Sequence, residues 1–203
     1  MKYPVHDAVI KWAEGELGTS EVPPGSNTGP RVRFYQAHTW LGGTGWPWCA
    51  AFAATAWEVG GKRKLPWPSA GAWDLGNRGR KQGWAVSDPS LMRPGDLVVF
   101  KAGAGHVALF ASYDKGRKLV KTIDGNVANA VVRRARPLSA VRDLIHIPEK
   151  GVKVEPAKAP VFEVVTSEDG QKIIYVSGAR AIGRNLARFL RVHPRLTIRR
   201  RKK

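Results

Sequence analysis

Cys49 is the only cysteine in this chain of 203 residues, and it lies in the stretch GWPWCAAFAATAW. A catalytic cysteine needs a base that takes its proton and a third group that orients the base. A glycine-rich turn precedes Cys49 and small apolar residues follow it, which predicts that a helix begins at residue 48 or 49. Free N–H groups at a helix N-terminus favour a thiolate and can bind an oxyanion. Position alone leaves two interpretations open, a nucleophile and a buried core cysteine.

His106 is the histidine whose surroundings best suit a base. It follows Gly-Ala-Gly and begins HVALF, a predicted strand in which His106, Ala108 and Phe110 share one face. A single histidine on an apolar strand is more often a core residue, so this position alone does not establish a base. No two of the five histidines form the i, i+4 pair of a helical zinc site, and one cysteine cannot complete a thiolate site. We therefore expect no metal and no cofactor.

The sequence TIDGN offers the third group. Asp124 is predicted at the end of a strand, with Asn126 two residues later, and either side chain could accept a hydrogen bond from His106 and hold one tautomer. Asp-Gly and Gly-Asn are also common turn dipeptides, so an ordinary turn remains the alternative. Three further residues are candidates for substrate contact: Trp46 and Trp48 beside the cysteine, which could equally be core residues, and Asn27 in the turn before the second helix.

The elements that would position these residues form two blocks. Helical spacing, glycine stops and a Thr-Gly-Pro start predict helices at 5–17, from 30 to about 41, from 48 or 49 to 60, and around 69–81. Runs of apolar residues between glycine and aspartate turns predict strands at about 96–101, 105–113 and 118–124, with two more in VVRRARPL and LIHIPEK. Helices followed by strands indicate an α+β domain in which the helices pack on an antiparallel sheet.

Positive charge is concentrated toward the C-terminal end. The chain has 34 Lys and Arg against 16 Asp and Glu, a net charge of +18, and residues 149–203 carry half of that charge. We expect a linker at 149–160 and a basic module at 161–203, made of a hairpin and a helix with an arginine face: Arg180, Arg184, Arg188 and Arg191. Such a module favours polyanions, either an anionic membrane or wall polymer or, as the less favoured case, nucleic acid. A solvated appendage is the remaining interpretation.

Four motifs taken together resemble one family. GWPWCAAF, PGDLVVF, GHVALF and IDGN follow one another in this order, each on its own predicted element. They are similar to the motifs of the CHAP family of cysteine, histidine-dependent amidohydrolases and peptidases, in particular to the versions found in bacteriophage lysins. EVPPGSNTGPRVRFY and NAVVRRARPL also resemble segments that flank these motifs. The resemblance covers roughly residues 1–148, which we take as the catalytic domain.

The resemblance implies a papain-like α+β fold with Cys49 as nucleophile and His106 as general base. The acid of the family's E-G-N motif falls on Asp124 and its amide on Asn126. Because aspartate is one methylene shorter than glutamate, Asn126 could carry more of the orienting role. The implied substrate is peptidoglycan, cut between muramic acid and L-alanine or within the peptide. Some lysins bind calcium through an Asp-rich loop before the cysteine, but residues 35–48 contain no Asp or Glu.

The resulting hypothesis is a monomeric peptidoglycan hydrolase of the phage-endolysin type. One cysteine permits no internal disulfide, no apolar run is long enough to span a membrane, and the amphipathic N-terminus does not resemble a secretory signal. We therefore expect synthesis in the cytoplasm of a bacterial host and action on the cell wall after release. The alternatives are an NlpC-type endopeptidase, a tail-associated lysin and, from another class, a non-catalytic protein that binds nucleic acid or cell wall.

Overall fold

The computed structural model describes residues 3–103 and 105–149, and beyond them the backbone of three short strands. The chain divides into two compact units, Met1–Val152 and Lys153–Lys203. All residues predicted to take part in catalysis belong to the first unit. Among the described residues, no helix is long and apolar enough to cross a membrane.

The described part of the first unit contains four α-helices: α1 Pro4–Gly15, α2 Pro30–Gln36, α3 Cys49–Thr55 and α4 Ala72–Lys81. α3 runs directly into a π-helical turn, Ala56–Gly60, so the helix predicted up to residue 60 is present with a change of winding. α2 ends at Gln36, earlier than predicted. The hydroxyl of Thr39 donates to the carbonyl of Gln36, and the backbone closes there in tighter i to i−3 hydrogen bonds.

The strands described in the first unit form one antiparallel sheet of six. Their bounds are β1 Ala85–Val86, β2 Leu97–Phe100, β3 His106–Asp114, β4 Leu119–Val127, β5 Ala130–Pro137 and β6 Val141–Ile145. Their order across the sheet is β1-β6-β2-β3-β4-β5. The sequence did not predict β1, because two residues paired to β6 leave no periodic pattern. The expected α+β architecture is confirmed, with helix α3 packed on β3 and β4.

The centre of the sheet, formed by β2 and the first half of β3, is buried on both faces, and side chains alternate between these faces along each strand. Leu97 of β2 and Leu109 of β3 belong to the larger core, which also contains the apolar faces of α1 and α3. Their neighbours Val98 and Phe110 point to the opposite face of the sheet, into a second apolar cluster that also contains Met92. Burying side chains of this size contributes about 1.5–3 kcal/mol each, so the two clusters give β2 and β3 a rigid setting.

A buried ionic cluster, the His6 cluster, consists of His6, Asp96, His146 and Glu149. Both ring nitrogens of His6 pair with carboxylates, Nε2 with Asp96 at 2.9 Å and Nδ1 with Glu149 at 2.7 Å, while His146 Nδ1 lies 2.8 Å from the second Asp96 oxygen. Only a protonated imidazole donates from both nitrogens. Burial opposes that charge, but the two carboxylates outweigh it and raise the pKa of His6 above its ordinary value. Glu149, predicted as the first linker residue, is therefore a buried part of the first unit.

The second unit is described by three strands: β7 Val161–Thr166, β8 Lys172–Ser177 and β9 Thr197–Arg200. β7 and β8 pair antiparallel, as expected of the predicted hairpin, and β9 pairs parallel to β8. β9 was not predicted, since a strand that carries two adjacent arginines lacks an apolar run. The predicted helix with Arg180, Arg184, Arg188 and Arg191 lies outside the described residues, as do 150–160 of the predicted linker.

Candidate active site

Cys49 is the first residue of α3 and is 6% exposed, so its thiol lies at the edge of the core and at the start of a helix. The helix continues through the π-helical turn as far as Gly60, and its first turn rests on the sheet. The predicted helix start is therefore where the structure has it. This placement directs backbone N–H groups of the first turn toward any negative charge that develops beside the sulfur.

Gly125 allows strand β4 to approach the first turn of α3. A Cβ atom at this position would lie 2.6 Å from Phe52 Cβ and 2.9 Å from the indole of Trp48, closer than real Cβ contacts. The Asp-Gly-Asn sequence is thus an interior part of β4, which continues to Val127, and the alternative of an ordinary turn is wrong. Asp124 likewise lies within the strand rather than at its end. The glycine is required because it removes the side chain that would separate the strand from the helix.

The imidazole of His106 lies between Asp124 and Cys49. Its Nε2 is 2.7 Å from Asp124 Oδ2, and the Cys49 side chain lies close enough to the ring to contribute to the raised pKa of His106. Since Nε2 is occupied by the carboxylate, Nδ1 is the nitrogen available to the sulfur. Burial alone would lower the pKa of His106, but the hydrogen bond to Asp124 and the nearby Cys49 side chain outweigh it and raise the pKa to about 9. His106 is therefore an imidazolium near neutral pH.

Asp124 is fully buried and is held by three donors. His106 and Arg136 both contact Oδ2, the second at 2.6 Å, and the hydroxyl of Thr122 donates to Oδ1. Burial would raise the pKa of this carboxyl, but the hydrogen bonds from His106, Arg136 and Thr122 lower it below its ordinary value. Asp124 therefore stays ionised and can fix both the orientation and the charge of His106.

Asn126 does not orient His106. Its amide nitrogen donates to Glu21 Oε1 at 2.9 Å and to Asn27 Oδ1 at 2.8 Å. The expectation that Asn126 compensates for the shorter aspartate is therefore wrong, because the backbone at Asn126 has φ +61° and β4 carries a bulge there that turns the side chain toward the N-terminal loop. Asn27 was expected to bind substrate, but its side-chain oxygen accepts a hydrogen bond from the Asn126 amide.

Glu21 is a residue of the site that the sequence did not predict. It is 2% exposed, and its Oε1 accepts from the indole N–H of Trp48 at 2.9 Å, while Oε2 accepts from the backbone N–H of Asn27 at 2.9 Å. Trp48 is fully buried, so its expected contact with substrate is wrong. Its indole N–H instead anchors the residue before Cys49 to Glu21. A single acid in a turn-rich segment gives no sequence signal, since such acids are usually exposed.

Two other tryptophans near the site retain exposed surface. Trp46 is partly buried and donates its indole N–H to the carbonyl of Gly42 at 3.0 Å, so substrate contact by this residue remains a prediction. Trp73 at the start of α4 is 41% exposed and was not predicted. It packs directly on Gly105, where a Cβ would lie 2.2 Å from the indole, and Gly105 has φ +102°. Trp73 therefore borders the residue that precedes His106.

A comparison with protein families assigns the region that contains these residues. Residues 41–126 match the family model of the CHAP domain. The chain contains a CHAP domain. Domains of this family are in general cysteine- and histidine-dependent amidases or peptidases that act on peptidoglycan. The match includes Cys49, His106 and Asp124, and it stops before Arg136. A search of curated proteins found no match to the chain.

The His6 cluster is the group of described residues that could hold a metal ion. Donor atoms of His6, Asp96 and His146 all lie within 4.8 Å of one another, and two imidazoles with a carboxylate suit zinc. The Asp96 oxygens, however, already accept from both imidazoles and from the backbone N–H groups of Arg93 and Ile147. Ion pairing and hydrogen bonding occupy both ring nitrogens of His6, both oxygens of Asp96 and Nδ1 of His146. The cluster joins α1 to the start of β2 and to the segment after β6.

Proposed function

We propose that this chain hydrolyses an amide bond of peptidoglycan, with Cys49 as nucleophile, His106 as the acid and base, and Asp124 as the residue that orients His106. The observation that supports it most is the arrangement around the imidazole, with Nε2 at 2.7 Å from a buried carboxylate and the only cysteine of the chain close enough to help raise the pKa of the ring. The order nucleophile, base, orienting acid is that of a cysteine hydrolase.

The reaction proceeds through two acyl transfers. The Cys49 thiolate attacks the carbonyl carbon, and the tetrahedral oxyanion is stabilised by backbone N–H groups at the start of α3. As the C–N bond breaks, His106 gives its proton to the leaving amine and a thioester remains on Cys49. A water then attacks the thioester, His106 takes a proton from that water, and the carboxylic acid leaves as the thiolate re-forms. One water is consumed and the amide yields one amine and one acid.

The raised pKa of His106 bears directly on the first transfer. At neutral pH an imidazolium already holds the proton that the leaving amine requires, so the reactive form of the pair is thiolate and imidazolium. Asp124 stabilises this form because its buried negative charge faces the ring. Exposed indole surface on Trp46 and Trp73 supports a further proposal, that these two side chains contact the glycan or the peptide.

We further propose the phage-endolysin type for this hydrolase, acting on the cell wall after release from the bacterial host, with the basic residues of 161–203 binding anionic wall polymer or membrane. The support is the resemblance of the flanking segments to lysins and the excess of Lys and Arg in the tail. Neither the resemblance nor the charge of the tail identifies the bond that is cut, which is either the amide to muramic acid or one within the peptide. A non-catalytic wall-binding role is the rival, and it would leave the His106 arrangement without a use.

A lysis assay tests the proposal. We expect Cys49→Ala and His106→Ala each to lower the clearing rate of purified cell walls by more than 10³-fold, in the range seen when nucleophile or base is removed elsewhere. His38→Ala is the matched control, because His38 is a partly buried histidine whose Nδ1 hydrogen-bonds to the Phe34 carbonyl, away from Cys49 and Asp124 in sequence and in partners. Full clearing by the Cys49→Ala protein would contradict the proposal and favour the non-catalytic rival.

A further inference from the structure

We propose that Arg136 is a positioning residue of the active site, acting on His106 through the carboxylate of Asp124 and the ring of Phe100. This inference rests on the proposed function and adds a residue that lies outside the matched region 41–126. Arg136 is neither the nucleophile nor the base; it shares the negative charge of Asp124 with His106.

Arg136 and His106 bind the same oxygen atom. Nη2 of Arg136 lies 2.6 Å from Oδ2 of Asp124, and Nε2 of His106 lies 2.7 Å from that oxygen. The other guanidinium nitrogen, Nη1, lies 3.4 Å from the hydroxyl of Thr122, which donates to the second oxygen of Asp124. The carboxylate is thus contacted by one imidazole, one guanidinium and one hydroxyl, with two donors on Oδ2 and one on Oδ1.

A second contact ties Arg136 to the imidazole independently of the carboxylate. The guanidinium lies over the ring of Phe100, 4.5 Å from its centroid, and that ring stacks on His106 with centroids 6.0 Å apart and planes at 29°. A cation over an aromatic face is held there by the ring's quadrupole. Arg136, on β5, therefore contacts two residues that also contact His106: Asp124 on β4 and Phe100 on β2.

Arg136 differs from the other arginines of its strand. Its side chain is 24% exposed, while Arg134 is exposed and Arg133 forms an exposed ion pair with Glu14. Surface pairs of that kind contribute little. The pair with fully buried Asp124 is of another class, because the carboxylate would lose one of its two cations if Arg136 were removed.

The charge of Arg136 opposes that of the imidazolium. Among the described residues, the charged or titratable groups that face His106 are Cys49 from α3, Asp124 from β4 and, through the shared carboxylate, Arg136 from β5. Removing the guanidinium leaves the full charge of Asp124 to His106, so the imidazolium becomes harder to deprotonate. The pKa of His106 then rises from its value of about 9, by about one pH unit for a unit charge at this range in a partly buried site.

The test compares Arg136→Gln, Arg136→Lys and the exposed control Arg134→Gln in the full chain. Titration of the His106 ring by NMR should show that its pKa is higher by about one pH unit in Arg136→Gln. In Arg136→Lys and Arg134→Gln the pKa should change by less than about 0.3 pH units, the effect of a screened surface charge. The alkaline limb of the lysis rate should move with the NMR value. Equal shifts in Arg136→Gln and Arg134→Gln, or a shift in Arg136→Lys as large as in Arg136→Gln, would overturn the inference.

The NMR readout separates this inference from the proposed function. If Cys49→Ala abolishes lysis while Arg136→Gln leaves the His106 titration unchanged, the inference fails alone. If Cys49→Ala still clears cell walls, the proposed function fails and the titration still shows whether Arg136 acts on His106. Thermal unfolding of each variant accompanies the titration, and Arg136→Lys supplies a folded comparison that keeps the ion pair should Arg136→Gln unfold.

Discussion

The buried carboxylate of Glu21 accepts the indole N–H of Trp48 at 2.9 Å, one residue before the candidate nucleophile. The same oxygen accepts from Asn126, and the other accepts from the backbone of Asn27. One acid therefore ties the N-terminal loop, the start of α3 and the end of β4 together. We expect the position of Cys49 relative to His106 to depend on this tie, because Glu21 holds the residue before Cys49 and a residue of the strand that carries Asp124.

Glu21→Gln should lower the free energy of unfolding by about 1–3 kcal/mol, because the amide nitrogen would face the N–H of Asn27 or the indole of Trp48. The lysis rate at a temperature where the variant is folded should fall as well, since the start of α3 loses its anchor. Urea unfolding and wall lysis measure the two effects. Glu14→Gln is the control, since the Glu14 carboxylate forms an exposed pair with Arg133 and its loss should change either quantity little. Equal effects of the two variants would show that the tie is unimportant.

Gly125→Ala should separate β4 from α3. The added methyl would overlap with Phe52 and with the indole of Trp48, at an expected cost of about 1–3 kcal/mol and with loss of most lytic activity. Gly116→Ala serves as the comparison, because its nearest neighbour is an Asp114 oxygen at 3.6 Å. Thermal unfolding and lysis rates of both proteins check this prediction. Normal activity in Gly125→Ala would mean that the spacing of strand and helix does not control the site.

Lytic activity should fall as the pH rises through about 9, where His106 loses the proton that the leaving amine needs. The folded-state pKa lies above the ordinary 6.5, so the stability contributed by His106 is fully present below about pH 6.5 and is lost as the pH approaches 9. Initial rates of lysis and urea unfolding between pH 6 and 10 measure both. His106→Gln should lack this part of the stability change. An activity that stays constant through pH 9.5 would contradict the assignment.

His6→Gln should destabilise the first unit by about 3 kcal/mol at pH 6, because Glu149 and Asp96 would be left buried with one cation fewer. The pKa of His6 is raised on folding, so its contribution is present below the unfolded value of 6.5 and lost as the pH rises through the folded value. The difference between the two proteins should therefore narrow at alkaline pH. Urea unfolding at several pH values measures it, with His38→Gln as control. A difference that does not depend on pH would show that folding does not raise the pKa of His6.

The parts of the fold and site that were predictable depend on local patterns. The start of a helix at Cys49, the strand that begins at His106 and the α+β order of elements can each be recognised within about a dozen residues. The confirmed architecture follows from these. The approach of Asp124 to His106 also follows, because β3 and β4 are consecutive strands that pair.

The remaining features depend on contacts between distant segments. Glu21 meets Asn126 across 105 residues, and Glu149 meets His6 across 143, and neither pair has a pattern in its own segment. The roles of Asn126 and Trp48 were misassigned for the same reason, since their partner Glu21 could not be seen. Arg136 was hidden in VVRRARPL, where three arginines look alike until the register of β5 shows which one reaches a carboxylate.

The most direct test of the central claim is mass spectrometry of the soluble fragments released from purified peptidoglycan. The wild-type protein should release fragments with a new amine and a new carboxylate, whose summed mass exceeds that of the uncut segment by one water. The masses of the fragments identify the bond that is cut. Cys49→Ala, folded to the same extent by circular dichroism, should release none above the enzyme-free control. Release of the same fragments by Cys49→Ala would contradict a reaction that passes through Cys49.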